Sequence, residues 1–394
     1  MEIYIRLFLI SVGSAFFSNI IITPVLIALA KKYQWYDSTN ERKIHISPTP
    51  RIGGVGVFIS FIIGISVFFG LSQSYGIEMG MDGFKFAALL IAIAGIFTVG
   101  IFDDYLNLSA KFKFGIQALL TVLLIVSGFR FKELYIPFVQ YTLPLGLFSY
   151  PLTFIWIVGV SNAINLIDGM DGLAGGLSCL GLISVGLYSL ILNDTGLSVL
   201  AFTLAGALLA FLVFNFPPAK IFMGDAGSYV IGLTLAVVPL ANNPQYNSVT
   251  LYLAITVCII PIFDTLSSMI RRMIFYRVSF FTPDKEHTHH KLLNLGLSTL
   301  QILVIVYLIC CCLCGVTLLW SLYQTDWSLL LIMAVWVAVG IFFLALSHDF
   351  RKYFKNDPEA QRFYELKRQQ QIKAVRKEQE RTQQPEQKVS GRSL

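Results

Sequence analysis

The sequence predicts an all-α polytopic membrane protein of about 11 transmembrane helices, with its N-terminus outside and its C-terminus cytoplasmic. Three observations carry that expectation. Of the 394 residues, 56% are hydrophobic and 13% charged, where a soluble domain carries about 25% charge. Long apolar stretches recur along the chain. Basic residues fall into two unequal sets of connecting loops.

A span needs about 20 mostly apolar residues. Such stretches lie near 4–30, 52–71, 86–101, 113–129, 150–166, 172–193, 196–214, 228–241, 248–269, 299–322 and 327–347. They are continuous rather than alternating, which excludes a transmembrane β-barrel. The first is too long and too basic downstream to read as a cleaved signal peptide, so it is expected to stay as an anchor. No internal repeat is evident, which argues against a transporter built from inverted halves.

Orientation follows from Lys and Arg, which favour the cytoplasm near span ends. One set of loops holds Lys31, Lys32, Arg42, Lys43 and Arg51, then Lys111 and Lys113, Lys220, and Arg271, Arg272, Arg277, Lys285 and Lys291. The alternate set holds only Arg6, Lys85, Arg130 and Lys132. The richer set reads as cytoplasmic. The expected division is a transmembrane catalytic domain over 1–347 and a tail over 348–394 with twelve basic and seven acidic residues. Phe363, Leu366, Ile372 and Val375 recur loosely at helical spacing there, so a charged surface helix running into disorder is expected. Cys310, Cys311, Cys312 and Cys314 fall inside one apolar stretch without zinc-site spacing and read as packing residues.

Five polar clusters interrupt the apolar pattern, and the topology puts all of them on the cytoplasmic face. Asp103-Asp104 closes the third stretch; adjacent carboxylates at a membrane edge are expected to hold a cation, share a proton or meet a positive ligand. In the run from Asn162 through Asn165 and Asp168 to Asp171, polar residues recur every third position, which places them on one drifting helix face. Their oxygens suit Mg2+. The segment from Asn215 to Ser228 contains a Gly-Asp-x-Gly-Ser turn entering a helix, where exposed N–H groups and Asp225 suit a metal-bridged diphosphate. Asp264 lies deep in the ninth stretch and most simply pairs with Arg271 or Arg272, a structural role. His287, His289 and His290 share one loop; with no cysteine near, they suit phosphate or sugar contacts better than zinc.

The motifs Arg42-Lys43-x-His45 with Pro50-Arg51-x-Gly53-Gly54, Asp103-Asp104 with Lys111, Asn-x-x-Asn-x-x-Asp-Gly-x-Asp-Gly-Leu-Ala, Phe-Met-Gly-Asp-x-Gly-Ser and His-x-His-His occur in order between about residues 30 and 300. Together they resemble the polyprenyl-phosphate N-acetylhexosamine-1-phosphate transferases. The spaced His-x-His-His is closer to the branch that starts surface glycans, such as O-antigen and teichoic acid, than to the peptidoglycan branch acting on UDP-MurNAc-pentapeptide.

The resemblance implies transfer of a sugar 1-phosphate, GlcNAc-1-phosphate first among the candidates, from a UDP-sugar to undecaprenyl phosphate with release of UMP. It implies a Mg2+ cofactor that Mn2+ can replace, and a bacterial inner membrane. On that reading Asp225 with Asn165 holds the metal, and Asp103 or Asp104 deprotonates or orients the lipid phosphate. Asn162, Asp168 and Asp171 contact the uridine or metal. Lys111 contacts a phosphate, and His287, His289 and His290 the donor phosphates or sugar. Arg42, Lys43, His45 and Arg51 shape the mouth of the site. The implied partners are a UDP-N-acetylhexosamine, a polyprenyl phosphate and membrane lipids, not nucleic acid; a homodimer stays open. Rival readings are the peptidoglycan-branch transferase, an intramembrane prenyltransferase, which needs a second related Asp motif, and a lipid-linked sugar transporter, which places charges at mid-membrane.

Overall fold

The computed structural model describes residues 2–35, 49–76, 81–136, 139, 141–241, 247–270, 273, 291–293, 296–323 and 326–356. Eleven helices can be given bounds among them: α1 (Glu2–Tyr33), α2 (Gly53–Ser74), α3 (Gly83–Leu106), α4 (Ala110–Val126), α5 (Ser149–Ile167), α6 (Leu173–Ile191), α7 (Thr195–Asn215), α8 (Gly224–Val237), α9 (Asn247–Ile270), α10 (Thr299–Tyr323) and α11 (Asp326–Asn356). Each expected apolar stretch lies on one of them. Eight, namely α1, α2, α3, α5, α6, α7, α9 and α10, are long and apolar enough to cross a membrane. The chain divides into two compact units, Met1–Gly340 and Ile341–Leu394. The expected boundary at 347/348 falls inside α11, and the tail beyond residue 356 lies outside the described residues.

Helix is the conformation an apolar segment takes in lipid, because each backbone group then finds its partner within the segment. Starts are set by local polar residues. Asp82 accepts from Lys85 N at 3.2 Å, Ser109 from Phe112 N at 3.3 Å and Asp194 from Leu197 N at 3.1 Å. Asn107, at φ 49°, ends α3 in the left-handed conformation, which turns the chain directly into α4.

The short helix α8 is the centre of the bundle. From Gly224 to Val237 every side chain except Asp225 is buried, the pattern of a helix sheathed on all sides. It packs on α2, α3, α5 and α6. Glycines make the close crossings: a Cβ on Gly100 would overlap the backbone of Ala226, and one on Gly232 would lie 2.8 Å from Ser161 Cα. A second layer joins α1, α2 and α7 by interhelical hydrogen bonds, from Ser11 Oγ to Gly64 O at 2.9 Å and from Asn19 Nδ2 to Ala207 O at 2.7 Å.

One feature departs from the all-helical expectation. Between α4 and α5, β1 (Glu133–Ile136) and β2 (Tyr141–Pro144) pair antiparallel, with Glu133 opposite Pro144. Four-residue strands give no apolar run long enough to register against neighbouring spans. The polar ends of the helices also extend past the apolar stretches. α3 runs to Leu106 rather than 101 and so carries Asp103 and Asp104 on helical backbone.

Candidate active site

Five segments converge at one end of the bundle, and their backbones set the geometry. Phe222 N donates to Pro50 O at 2.8 Å, Gly53 N to Phe222 O at 2.9 Å and Gly54 N to Met223 O at 2.7 Å. This ladder fixes the Pro-Arg-x-Gly-Gly segment against the turn entering α8. Only glycine fits the join: Gly224 sits at φ +76° and a Cβ there would strike Arg51 O, while a Cβ on Gly54 would overlap Gly227 N and Cα.

The two adjacent aspartates do different things. Asp104 Oδ1 accepts from Asp225 N at 2.9 Å and its Oδ2 from Ala226 N at 3.1 Å, so its carboxylate caps α8. Asp103, 6% exposed, accepts from Leu108 N at 2.8 Å through Oδ1 and from Lys113 Nζ at 2.5 Å through Oδ2. Lys113 Nζ also lies 3.8 Å from Asp225 Oδ2. The Asp103 and Asp225 carboxyl groups thus approach the same ammonium. Asn165 Nδ2 donates to Asp225 Oδ1 at 3.1 Å and to Ser228 Oγ at 2.8 Å. Asp225 is therefore held from α5 and approached from α3 and α4.

A carboxylate cluster of this kind, on the C-terminal ends of α3 and α5 and the N-terminal end of α8 with Lys113 of α4 beside it, coincides with a sequence match. Residues 86–243 match the profile of glycosyl transferase family 4. A probable undecaprenyl-phosphate N-acetylglucosaminyl 1-phosphate transferase of Bacillus subtilis (strain 168) is 38% identical over 293 residues, covering 74% of this chain and 78% of that one. This chain belongs to glycosyl transferase family 4. The family member named undecaprenyl-phosphate alpha-N-acetylglucosaminyl 1-phosphate transferase in Escherichia coli (strain K12) is 30% identical over 313 residues, 77% of this chain and 82% of its own. A decaprenyl-phosphate N-acetylglucosaminephosphotransferase of Mycobacterium tuberculosis (strain CDC 1551 / Oshkosh) is 36% identical over 294 residues, 68% and 71% of the two chains.

In this glycosyl transferase, Asn162 stands a turn below the centre, its Nδ2 donating to Gln117 Oε1 and Val158 O, both at 2.8 Å. Asp171, 7% exposed, accepts from Ala219 N at 3.0 Å through Oδ2 and so ties the loop after α5 to the loop after α7. Asn215 reinforces that tie, accepting from Gly172 N at 3.0 Å and donating to Ile221 O at 2.8 Å. Asp168 lies in the turn between α5 and α6 with its carboxyl pushed up to about 7. Burial is the main cause, Arg51 opposes it, and like charge on Asp104 and Asp171 adds to it.

Lys111 is exposed, and Lys113 is the lysine on the carboxylates. Two residues apart on a helix they face different ways, and nothing in the sequence ranks them. His287, His289 and His290 lie outside the described residues, as do Arg42, Lys43, His45, Arg271 and Arg272. Asp264 is 1% exposed on α9.

The sequence reading missed the place of Arg51. Its carbonyl lies against Gly224, and its charge acts on Asp104, Asp168 and Asp225 together, so it contributes to the field around the carboxylates as well as lying at the mouth. The signal was the pair of glycines after it, which allow the close backbone approach. Tyr307 on α10 was also missed: its hydroxyl donates to Gly172 O at 2.6 Å.

The residues present suit a divalent cation. Asp103 Oδ2 and Asp225 Oδ2 already converge on one positive atom, and Mg2+ is commonly bound by one or two carboxylates together with substrate phosphates. Among the described residues no three His, Cys, Asp or Glu groups form a closed metal cage, so the remaining positions would fall to water and substrate oxygens. Among the described residues, the carboxyl groups of Asp103, Asp104, Asp168, Asp171 and Asp225 also outnumber Arg51 and Lys113 in this neighbourhood. An anionic substrate meets that excess unless further positive charge arrives with it.

Proposed function

We propose that this chain transfers N-acetylglucosamine 1-phosphate from UDP-GlcNAc to undecaprenyl phosphate, releasing UMP, with a Mg2+ ion held by Asp225 and Asp103. The observation that carries the reading is the convergence of Asp103, Asp225 and Lys113 at one end of the bundle, together with the activities named for relatives at 30–38% identity. The catalytic unit extends to about residue 347, the fold spans a bacterial inner membrane with the carboxylate end on the cytoplasmic side, and the N-terminus is outside, in keeping with the basic loops.

In this scheme an oxygen of the lipid phosphate attacks the sugar-side phosphorus of the donor. The new P–O bond forms as the bond from that phosphorus to the bridging oxygen breaks, and the electron pair leaves on UMP. Asp103, rather than Asp104, orients the lipid phosphate, because both oxygens of Asp104 are committed to the α8 backbone. Asn165 and Asp104 hold Asp225 in place, and Arg51 and Lys113 contribute positive charge toward phosphate oxygens. The metal, when bound, would neutralise the diphosphate as charge moves to the leaving group. His287, His289 and His290 are assigned to the donor sugar or phosphates.

The test is UMP release by purified protein in detergent with undecaprenyl phosphate and Mg2+, given UDP-GlcNAc, UDP-GalNAc or UDP-MurNAc-pentapeptide separately. Release with UDP-GlcNAc that depends on lipid and metal supports the reading. Release only with the pentapeptide donor, or none with any donor from folded protein, overturns it. Asp225→Ala is expected to abolish turnover, and turnover that survives chelation by EDTA overturns the metal assignment.

A further inference from the structure

Lys113 occupies the point where the Asp103 and Asp225 carboxylates converge, 2.5 Å from one and 3.8 Å from the other. Each carboxylate also has its own support. Asp103 accepts from Leu108 N and Asp225 from Asn165 Nδ2, at 2.8 and 3.1 Å. The pair is thus held in position without the lysine. What the lysine supplies is charge, on a flexible four-carbon stem. Its side chain is 22% exposed and that of Asp225 is 23% exposed, against 5% for Asp103, so this ion pair opens to solvent on the side of Lys113 and Asp225. A lysine whose stem reaches solvent can withdraw its ammonium without stranding the charge in an apolar interior.

We propose that Lys113 is the resting counter-ion of the Asp103 and Asp225 pair, and that it gives up this position to the divalent cation and moves to a substrate phosphate. The proposal rests on the metal reading of the proposed function. Two carboxylates and a divalent ion are neutral together; keeping the ammonium at the same point adds a repelling charge within about 4 Å, which at an effective dielectric near 20 opposes binding strongly. Lys113 then serves twice. Before substrate arrives it keeps two converging carboxylates from repelling each other. Once it leaves them, its ammonium is free for the anionic oxygens of the diphosphate or lipid phosphate.

The experiment is Mn2+ binding, read by electron paramagnetic resonance, to substrate-free protein in detergent at pH 8, where protons compete little. Lys113→Met and Lys113→Gln are expected to bind Mn2+ about tenfold tighter than the unaltered protein while losing turnover. Lys113→Arg is expected to bind as weakly as the unaltered protein. A folded Lys113→Met that binds Mn2+ no tighter, while Asp225→Asn abolishes binding, overturns the proposal and leaves the metal assignment standing. Binding that survives Asp225→Asn at full strength refutes the metal assignment itself, and the proposal with it. A measurement without variants gives a second check: acylation of Lys113, followed by peptide mass spectrometry, is expected to rise when Mn2+ is added, and an unchanged rate overturns the exchange.

Discussion

Asp104 binds the helix that carries Asp225: its Oδ1 accepts the Asp225 N–H at 2.9 Å, and its second oxygen accepts from the next residue at 3.1 Å. Asp103, one position earlier, instead faces Lys113. Two adjacent aspartates are thereby split between holding α8 and pairing with Lys113.

That split predicts different failures. Asp104→Ala removes both capping bonds and is expected to cost about 2 kcal/mol of stability, seen as a lower melting temperature in detergent and lower yield. Asp104→Asn keeps one acceptor oxygen and is expected to lose about half as much. Asp103→Asn is expected to lower the melting temperature less than Asp104→Ala, since the amide keeps an acceptor for Leu108 N and the lysine it releases can reach solvent. Its turnover is expected to fall at least about 100-fold. Equal melting temperatures for Asp103→Asn and Asp104→Ala would remove the distinction.

Asp168 predicts a pH dependence of stability. Its carboxyl is raised to about 7 in the folded protein, chiefly by burial, from an unfolded value of about 3.9. Between those values the folded state binds more protons at this residue than the unfolded state. Its contribution to stability therefore falls as pH rises from about 4 to about 7 and is level beyond. Melting temperatures taken across that window are expected to decline less steeply in Asp168→Asn than in the unaltered protein. A steeper decline in the variant would contradict the burial of this carboxyl. Arg51→Gln removes an opposing charge and is expected to move the upper end of the window higher.

What the sequence made legible follows from how each signal arises. Apolar runs of about 20 residues have one stable conformation in lipid, so each of the eleven stretches lies on a helix among the described residues, eight of them long and apolar enough to cross a membrane. The split between Asp103 and Asp104 was not legible, because successive helical positions point about 100° apart and the partners of Asp104 lie on α8, more than a hundred residues on, while Asp103 meets Lys113 on α4. Lys111 and Lys113 were indistinguishable for the same reason. Tyr307 gave no signal at all, being one aromatic residue in an apolar helix. The β1–β2 hairpin was too short to stand out between spans.

Glycines at the site predict a sharp contrast among substitutions. A Cβ on Gly54 would overlap backbone atoms of Gly227, which no side-chain rotation relieves. Gly54→Ala is expected to cost about 3 kcal/mol and to separate the Arg51 segment from α8, with loss of both yield and turnover. Gly70→Ala, in the same helix but with nothing within 4 Å of the new Cβ, is expected to be neutral or stabilising by up to about 1 kcal/mol. The comparison is made by melting temperature and specific activity on the same preparation. Similar behaviour of the two variants would refute the close α2–α8 contact.

Tyr307 predicts that a residue on α10 tunes a turn it reaches only through backbone. The Gly172 peptide, at φ +76°, is gripped on both sides: its N–H donates to Asn215 Oδ1 at 3.0 Å and its carbonyl accepts from Tyr307 at 2.6 Å. The Tyr307 ring also lies over Gly176, where a Cβ would collide with it. Gly172 follows Asp171 directly, so the grip sets the direction in which the Asp168–Asp171 turn presents its carboxylates. Tyr307→Phe keeps the ring packed and deletes one hydrogen bond, at a cost of about 1 kcal/mol. The expected result is a small change in melting temperature with a fall of roughly fivefold to tenfold in kcat/KM for the nucleotide sugar, since a loosened turn weakens orientation more than folding. Unaltered kcat/KM in a variant whose melting temperature has dropped would make the hydroxyl a stabilising contact only, with no part in positioning the turn.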